Sequence, residues 1–531
     1  MKSLLIDETT TLGVLLDRAV EAHEHAEFLM DDTATITYRD FRERVMGHAA
    51  FYARSGAEPG DRVASMVDNS IDAVVAMFAA FCAHCIYVPL NTALRGESLA
   101  HQLALTSPRV LTIGGGLLDR LKPLSGPSRP PVIISRDDAD SDDLLSSGAV
   151  RVSEAQDQAR LAPTVEANAG DAACLMFTGG TTGPAKACTL SHRYLLNSVL
   201  SSRHGREPED PAYTCLPLYH LNATAATILT MALGSRITIA KRFSVSRFWP
   251  DIERSEATYT NLLGTMAALV ASAPDSPAMV RCRGQLKHFR STPFPPDVQQ
   301  VFRERFQVAD VKSVSSYGMT ETGALTVGSE GMPVESAGVP SDSWEVQVVD
   351  DEDQPVPVGR SGEIVGRPRR PGVMFDGYWG QPEKTLEVTR NLWFHTGDIG
   401  RFDENGFLYF VDRKKDYIRR RGENISCFEV EAPFRRHPDV IDVAAYGVES
   451  ELGEEDVQIS VVVADGSDIA PQRLLEWSVS KLPYFAVPRY VQFVGSLPTS
   501  EVGRVLKRQL KANAAAGRWD RESIGMRFER R

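Results

Sequence analysis

Cysteine is scarce, long apolar runs are missing and positive charge is in the minority, and each shortage removes a class of protein. Seven cysteines in 531 residues, an odd number at scattered positions, do not make a disulfide framework and suit a reducing compartment. Cys82 and Cys85 form a Cys-x-x-Cys, but no second pair or suitably spaced histidine follows. They read as part of a buried helix rather than a metal or redox site. The longest apolar run, Ala73 to Ala83, is eleven residues, short of the roughly 18 needed to span a bilayer. Near the start, Leu4-Leu5-Ile6 meets Asp7 and Glu8, too short for a signal-peptide core. A soluble cytoplasmic protein is expected. With 58 Lys plus Arg against 70 Asp plus Glu, the net charge is −12, which argues against nucleic acid or a membrane surface as a partner. Any phosphate must be gripped locally. Internal repeats are absent too, and 31 prolines and 40 glycines are too dilute for a collagen-like or disordered chain.

What is there is roughly three times a typical domain of about 150 residues, so several cores are expected. The first 200 residues alternate helical stretches with short apolar runs such as Ile86-Tyr87-Val88, the pattern of an α/β fold on a parallel sheet. Residues 125–170, rich in Ser, Asp and Pro, read as a surface connection. From about 337 the texture turns β-rich: Trp344–Val348 alternates, Asp350–Pro355 turns and Gly362–Gly366 answers as a second strand. Strands at Val440–Val448 and Val457–Val463 and a helix from Pro471 to Leu482 suit a small α+β domain. The charged stretch Asp412-Arg413-Lys414-Lys415-Asp416 would be the joint.

Three segments carry chemistry. In Leu175–Lys186 an apolar strand runs into Thr178-Gly179-Gly180-Thr181-Thr182-Gly183-Pro184-Ala185-Lys186. That loop offers backbone N–H groups, hydroxyls and one ammonium to phosphate oxygens, although a plain strand-turn-helix fits the same residues. Its spacing is not that of the kinase-type P-loop. In Ser316-Tyr317-Gly318-Met319-Thr320-Glu321-Thr322-Gly323, Glu321 could hold Mg²⁺ through one carboxylate with Thr320 toward a phosphate; an exposed turn is the blander reading. In Trp393–Gly400, Asp398 sits in a Gly-flanked turn, where its carboxylate could accept both ribose hydroxyls or simply cap an Asx-turn.

Taken in this order, the three segments resemble the adenylate-forming superfamily of acyl-CoA synthetases, luciferases and peptide-synthetase adenylation domains. Gly377-Tyr378 with Pro382 and Thr385, then Asp412–Asp416, Gly422-Glu423-Asn424-Ile425 and Leu497-Pro498-Thr499 extend the likeness over nearly the whole chain. The resemblance implies an α/β fold: a large N-terminal domain, 1–414, of two α/β subdomains and a β-rich one, and a small mobile α+β C-terminal domain, 415–531. It implies two steps, in which a carboxylate attacks ATP to give acyl-AMP and pyrophosphate, and a thiol, that of CoA, then displaces AMP. By family position, Thr178, Gly179, Gly180, Thr181, Thr182, Gly183 and Lys186 would wrap the β- and γ-phosphates. Thr320 would bind the α-phosphate, Glu321 the Mg²⁺, and Tyr317 with Gly318 would meet adenine, while Asp398 and Arg413 would hold ribose. Lys415 falls on the hinge, and Gly422 on the tunnel that admits pantetheine.

Pro217-Leu218-Tyr219-His220 matches the stretch that sets an aromatic or His residue beside the reacting carboxyl; outside this context a lone histidine is more often structural. Amino-acid-activating relatives place an Asp nearby. Leu221–Ala226 has none, and its small residues, Ala223 and Thr224 with Gly318 opposite, leave room for a bulky apolar acid. Arg421, in the run Arg419–Arg421 beside Gly422, could meet phosphates of CoA at the tunnel mouth or simply face solvent.

The pattern breaks near the end. Where the family reads Pro-x-Thr-x-x-Gly-Lys, this chain reads Pro498-Thr499-Ser500-Glu501-Val502-Gly503-Arg504, so Arg504 stands where a lysine bridges carboxylate and α-phosphate. A guanidinium is a broad fork and an ammonium a compact point. The altered position resembles non-adenylating CoA ligases of the platensimycin and platencin pathway, which implies a polycyclic terpenoid acid and a separate enzyme supplying acyl-AMP. Three readings stay open here: a synthetase crippled in adenylation; a complete ATP-dependent ligase helped by Arg504 or by Lys507, three positions on; and a non-catalytic nucleotide- or acyl-binding protein.

Overall fold

A helix that is apolar nearly all round has to be buried, and Ile71–Cys82, whose one charged residue is Asp72 in the first turn, is such a helix, with Ala73 through Phe81 buried. Ser70 caps its start, the hydroxyl accepting from Ala73 N–H. Packed around it are Leu12–His23 and Tyr38–Arg54, the latter opened by a capping box between Thr37 and Asp40. The computed structural model describes residues 6–528 apart from 8, 136–149, 152–166, 179–183, 202, 204, 293, 314–315, 330–331, 334–335, 414–416, 422, 452, 465, 499–504 and 506.

These helices share one core with two seven-stranded sheets. One sheet runs, in spatial order, Val150–Arg151, Val132–Ser135, Val110–Ile113, Arg62–Met66, Ile86–Pro89, Ala172–Thr178 and Lys186–Ser191; every pair is parallel except the last. The other runs Asp310–Ser313, His288–Thr292, Tyr259–Leu263, Ala212–Thr214, Ile237–Ile239, Glu27–Met30 and Thr35–Thr37, again parallel but for the last pair. The expected α/β architecture is present. A third sheet, wholly antiparallel, joins Trp344–Val349, Gly362–Pro368, Phe394–Phe402 and Leu408–Arg413, with Trp344, Ile364 and Leu408 buried on one side against Tyr317 and Leu325. This is the β-rich region expected after residue 337.

The C-terminal part is smaller. A hairpin, Tyr417–Arg420 with Glu423–Ser426, precedes the helix Cys427–Arg435. A four-stranded sheet of Val440–Glu449, Glu455–Val463, Tyr490–Phe493 and Trp519–Asp520 follows, and Pro471–Val479 packs on Cys427–Arg435.

The structure corrects four expectations. Residues 132–135, inside the span read as connection, form a strand paired parallel to Val110–Ile113; four residues behind two prolines are too few for periodicity to declare itself. Cys82 ends its helix and Cys85 lies beyond it, past His84 at φ +53. The glycine-threonine loop joins two antiparallel strands, not a strand and a helix. Asp398 lies within the strand Phe394–Phe402, not in a turn. All seven cysteines are free thiols, and among the described residues no helix is long and apolar enough to cross a membrane.

Candidate functional site

The antiparallel pairing of Ala172–Thr178 with Lys186–Ser191 sets Thr178 directly opposite Lys186, so the two ends of the loop stand side by side. Gly179, Gly180, Thr181, Thr182 and Gly183 lie outside the described residues. The Lys186 ammonium sits 3.9 Å above the ring centre of Tyr378, whose hydroxyl donates to Glu321 Oε1 at 2.8 Å. The Thr178 hydroxyl donates to the same oxygen at 3.3 Å. Tyr378 is held in turn by its own N–H on Thr385 Oγ1 at 2.9 Å and by a bridge to Cys188. The preceding Gly377 is at φ +123, where a side chain would be strained, and a Cβ there would press on the Thr385 side chain at 3.1 Å.

Burial draws the Lys186 pKa below the ordinary lysine value, and the Glu321 carboxylate opposes that pull. A lysine with a lowered pKa sheds its proton earlier on an alkaline titration, so any anion grip that needs the ammonium is complete below that pKa and lost above it. Tripolyphosphate affinity, measured by calorimetry against pH, should therefore start to fall at a lower pH than an ordinary lysine would dictate. Lys186→Arg should move that fall beyond the accessible range; a limb that stays in place would assign it to another group.

Glu321 is carried by a tight hairpin, Gly318–Met319 against Gly323–Ala324. A Cβ on Gly318 would collide with the Gly323 carbonyl. The turn is pinned from outside: Tyr194 OH donates to the Thr320 carbonyl at 2.7 Å, and Phe375 N–H donates to that of Glu321 at 2.9 Å. At the near end of the segment Tyr317 donates its hydroxyl to Asp398 Oδ2 at 2.7 Å, both residues being buried. Asp398 stands opposite Arg413 in the sheet register. Beside it Gly397, at φ +73, gives its N–H to Glu363 Oε1 at 3.1 Å. One short segment thus ties the Thr178–Lys186–Glu321 cluster to the Tyr317–Asp398 pair.

His220 immediately precedes the helix Leu221–Leu233. Its Nε2 lies 3.2 Å from Glu423 Oε2, and the Tyr219 hydroxyl donates to Glu423 Oε1 at 3.0 Å. An ionised carboxylate only accepts, so it selects the Nε2–H form of His220. Ala223 is wholly buried in the core, and the buried Thr224 hydroxyl donates to the Leu218 carbonyl at 2.9 Å. Glu423 belongs to the C-terminal hairpin, whose register pairs it with Arg420. Arg421 follows at φ +52 and is exposed. The arginine run is not one solvated face: Arg420 is buried and ion-paired to Asp456 at 2.8 Å, and Arg419 lies 3.8 Å from Glu454. Gly422, Lys415 and Arg504 lie outside the described residues. Lys507 is ion-paired to Glu431 at 3.1 Å, a buried carboxylate that also holds Arg435 at 2.8 Å.

Sequence reasoning missed Tyr378 as the partner of Glu321, Tyr219 and Glu423 as the partners of one another, and Glu429, whose Oε1 accepts from Ala185 N–H at 3.1 Å. These pairs are 57 or more residues apart in sequence, and no local spacing announces them.

The chain is 26% identical over 515 residues to a crotonobetaine/carnitine–CoA ligase of Salmonella paratyphi B, covering 94% of this chain and 97% of that protein. Its fold matches the amide bond synthetase McbA of Marinactinospora thermotolerans with a TM-score of 0.81 and 25% identity, over 95% of this chain and 99% of the other. It also matches a double mutant of o-succinylbenzoate CoA synthetase from Bacillus subtilis, bound with a product analogue, with a TM-score of 0.78 and 23% identity over 94% and 98%. The family profile of the AMP-binding enzyme C-terminal domain matches residues 429–504, and that of the AMP-binding enzyme matches residues 16–379. The chain belongs to the AMP-binding enzyme family.

Proposed function

We propose that this protein is an acid–thiol ligase that forms an acyl thioester from an acyl-adenylate and CoA, with its own adenylation step weak or absent. The observation that carries the reading is the bonding of Glu423 to both Tyr219 and His220. It seats the hairpin beside Gly422 against the site, the orientation in which a thiol would be delivered. Residues 1–414 form the body in this reading and 415–531 the rotating part, with Lys415 at the hinge. In the reaction the CoA sulfur, as thiolate, attacks the acyl carbonyl carbon; the bond to the adenylate oxygen then breaks, and AMP departs with the electron pair while the thiol proton passes to water. His220, oriented by Glu423, lies beside the carbonyl.

Tyr317 and Asp398 hold adenine and ribose together with Gly318 and Arg413, Thr320 meets the α-phosphate, and Arg421 meets a phosphate of CoA. The donor set at Glu321 suits Mg²⁺: both hydroxyl bonds fall on Oε1, and one carboxylate besides phosphate oxygens is how this ion is commonly held. There it would neutralise phosphate charge.

Support for weak adenylation comes from the two cations near the C-terminus. Arg504 replaces the compact ammonium by a fork, and Lys507, the other candidate, is engaged by Glu431 inside the C-terminal part. A separate enzyme then supplies the adenylate. The acyl group in this reading is bulky and apolar, with a polycyclic terpenoid acid the leading case, and the seven free thiols suit the cytoplasm. Synthetic acyl-AMP esters of aryl, long-chain and polycyclic acids, offered with CoA and followed by mass spectrometry, test it: thioester is expected, most rapidly with the polycyclic ester. No thioester from any of them would leave only a binding protein.

A further inference from the structure

The strands that carry Glu363 and Asp398 fall out of step exactly between those two residues. Glu363 faces Ile399 and Val365 faces His395, so Ile364 alone stands against Thr396, Gly397 and Asp398. Three residues cannot share the ladder bonds of one, and the surplus N–H groups need other acceptors. Side chains supply them. Glu363 Oε1 accepts from Gly397 N–H at 3.1 Å, and the Thr396 hydroxyl accepts from Asp398 N–H at 3.1 Å while donating to the Ile364 carbonyl at 2.7 Å. The other oxygen of Glu363 is met by His395 Nδ1 at 3.2 Å and by the Arg390 guanidinium at 3.4 Å. Glu363, His395 and Asp398 are all buried.

We infer that Glu363 is a positioning residue: its carboxylate takes the place of the ladder bond missing at Gly397, and so fixes the direction in which Asp398, the next residue, presents its carboxylate to the ribose. This rests on the proposed function for the ribose role of Asp398 and adds what aims that carboxylate. Gly397, at φ +73, is the pivot. A glycine has few steric restraints of its own, so its conformation depends on where its N–H is held. Tyr317 steadies the Asp398 side chain from the far end, donating to Oδ2 at 2.7 Å, and Glu363 steadies the backbone beneath it. Aim matters because a hydrogen bond weakens steeply once donor and acceptor are misaligned, and two hydroxyls on one rigid ring leave a carboxylate little room to compensate.

The test is calorimetric binding of AMP and of 2′,3′-dideoxy-AMP, which lacks both ribose hydroxyls, to wild type, Glu363→Gln and Glu363→Ala. Wild type should prefer AMP by about thirty-fold, the scale of hydrogen bonding to a charged group. Glu363→Ala should bind dideoxy-AMP as wild type does and prefer AMP by only about three-fold, because misaimed bonds lose most of their strength. Glu363→Gln, whose amide oxygen still accepts from Gly397 N–H, should keep a preference of about ten-fold. Asp398→Ala should erase the preference, and adding Glu363→Ala to it should change neither affinity, since a residue acting through Asp398 then has nothing left to aim. The inference is overturned if Glu363→Ala keeps the wild-type preference, if it loses both nucleotides in step, which would make Glu363 a scaffold residue, or if the Gln variant fares no better than Ala. A wild type that binds the two nucleotides alike would instead refute the ribose role that the proposed function gives Asp398.

Discussion

Gly422→Leu should abolish thioester formation from acyl-AMP and CoA while leaving AMP binding at its wild-type strength. Glu423, the next residue, bonds to both Tyr219 and His220. If the proposed thiol path passes Gly422, an isobutyl group there would stand in the way of a pantetheine arm, and misplacement of a reacting atom by about 1 Å already costs on the order of 10²-fold. Tyr317 bonds to Asp398, and Glu321 and Lys186 both meet Tyr378, so the nucleotide contacts of the proposed reading are built from other residues and AMP affinity should not move. Stopped-flow or quenched assays of the single turnover, beside calorimetry with AMP, separate the two. Weakened AMP binding in step with lost turnover would mean a damaged fold, and undiminished turnover would place the thiol path elsewhere.

Arg504→Lys should restore acid-dependent exchange of pyrophosphate into ATP. Losing one charge stabiliser from a transition state costs about 3–4 kcal/mol, roughly 10²–10³ in rate, judged from deletion of a single oxyanion donor, and the variant should regain a gain of that order. Its thioester rate from preformed acyl-AMP should stay unchanged, because in the proposed reading thiol delivery depends on the Glu423 contacts with Tyr219 and His220. Lys507→Ala is the companion. The Lys507–Glu431 pair makes it a fold determinant of the C-terminal part, so it should lower thermal stability and leave the ratio of the two half-reactions where it was.

Much of the architecture is legible in the residues because burial leaves a local mark. The continuous apolar run inside the helix Ile71–Cys82 and the alternation of the strand Trp344–Val349 are each visible in the residues themselves. The strand Val132–Ser135 is not, since four residues one strand in from the edge of a parallel sheet have neither length nor alternation to distinguish them from a connection. At the site, Glu321 and Asp398 stand out as carboxylates among glycines. Their partners do not: Tyr378 reaches Glu321 only because Lys186–Ser191 bridges to it at Cys188, and Tyr317 reaches Asp398 across 81 residues. The glycines flanking Asp398 suggest a turn, yet Gly397 at positive φ serves equally beside an irregular strand register. Glu423 and Glu429 are the hardest to foresee. Each meets its partner across more than 200 residues, a separation no local spacing can announce.

The central claim is that one half-reaction survives and the other does not, and both can be measured on the unmodified protein with the same acid. Incubated with acid, ATP and labelled pyrophosphate, it should show exchange near background; supplied with the matching acyl-AMP and CoA, it should yield thioester rapidly. Brisk exchange alongside rapid thioester formation would contradict the account and make the protein a complete ATP-dependent ligase.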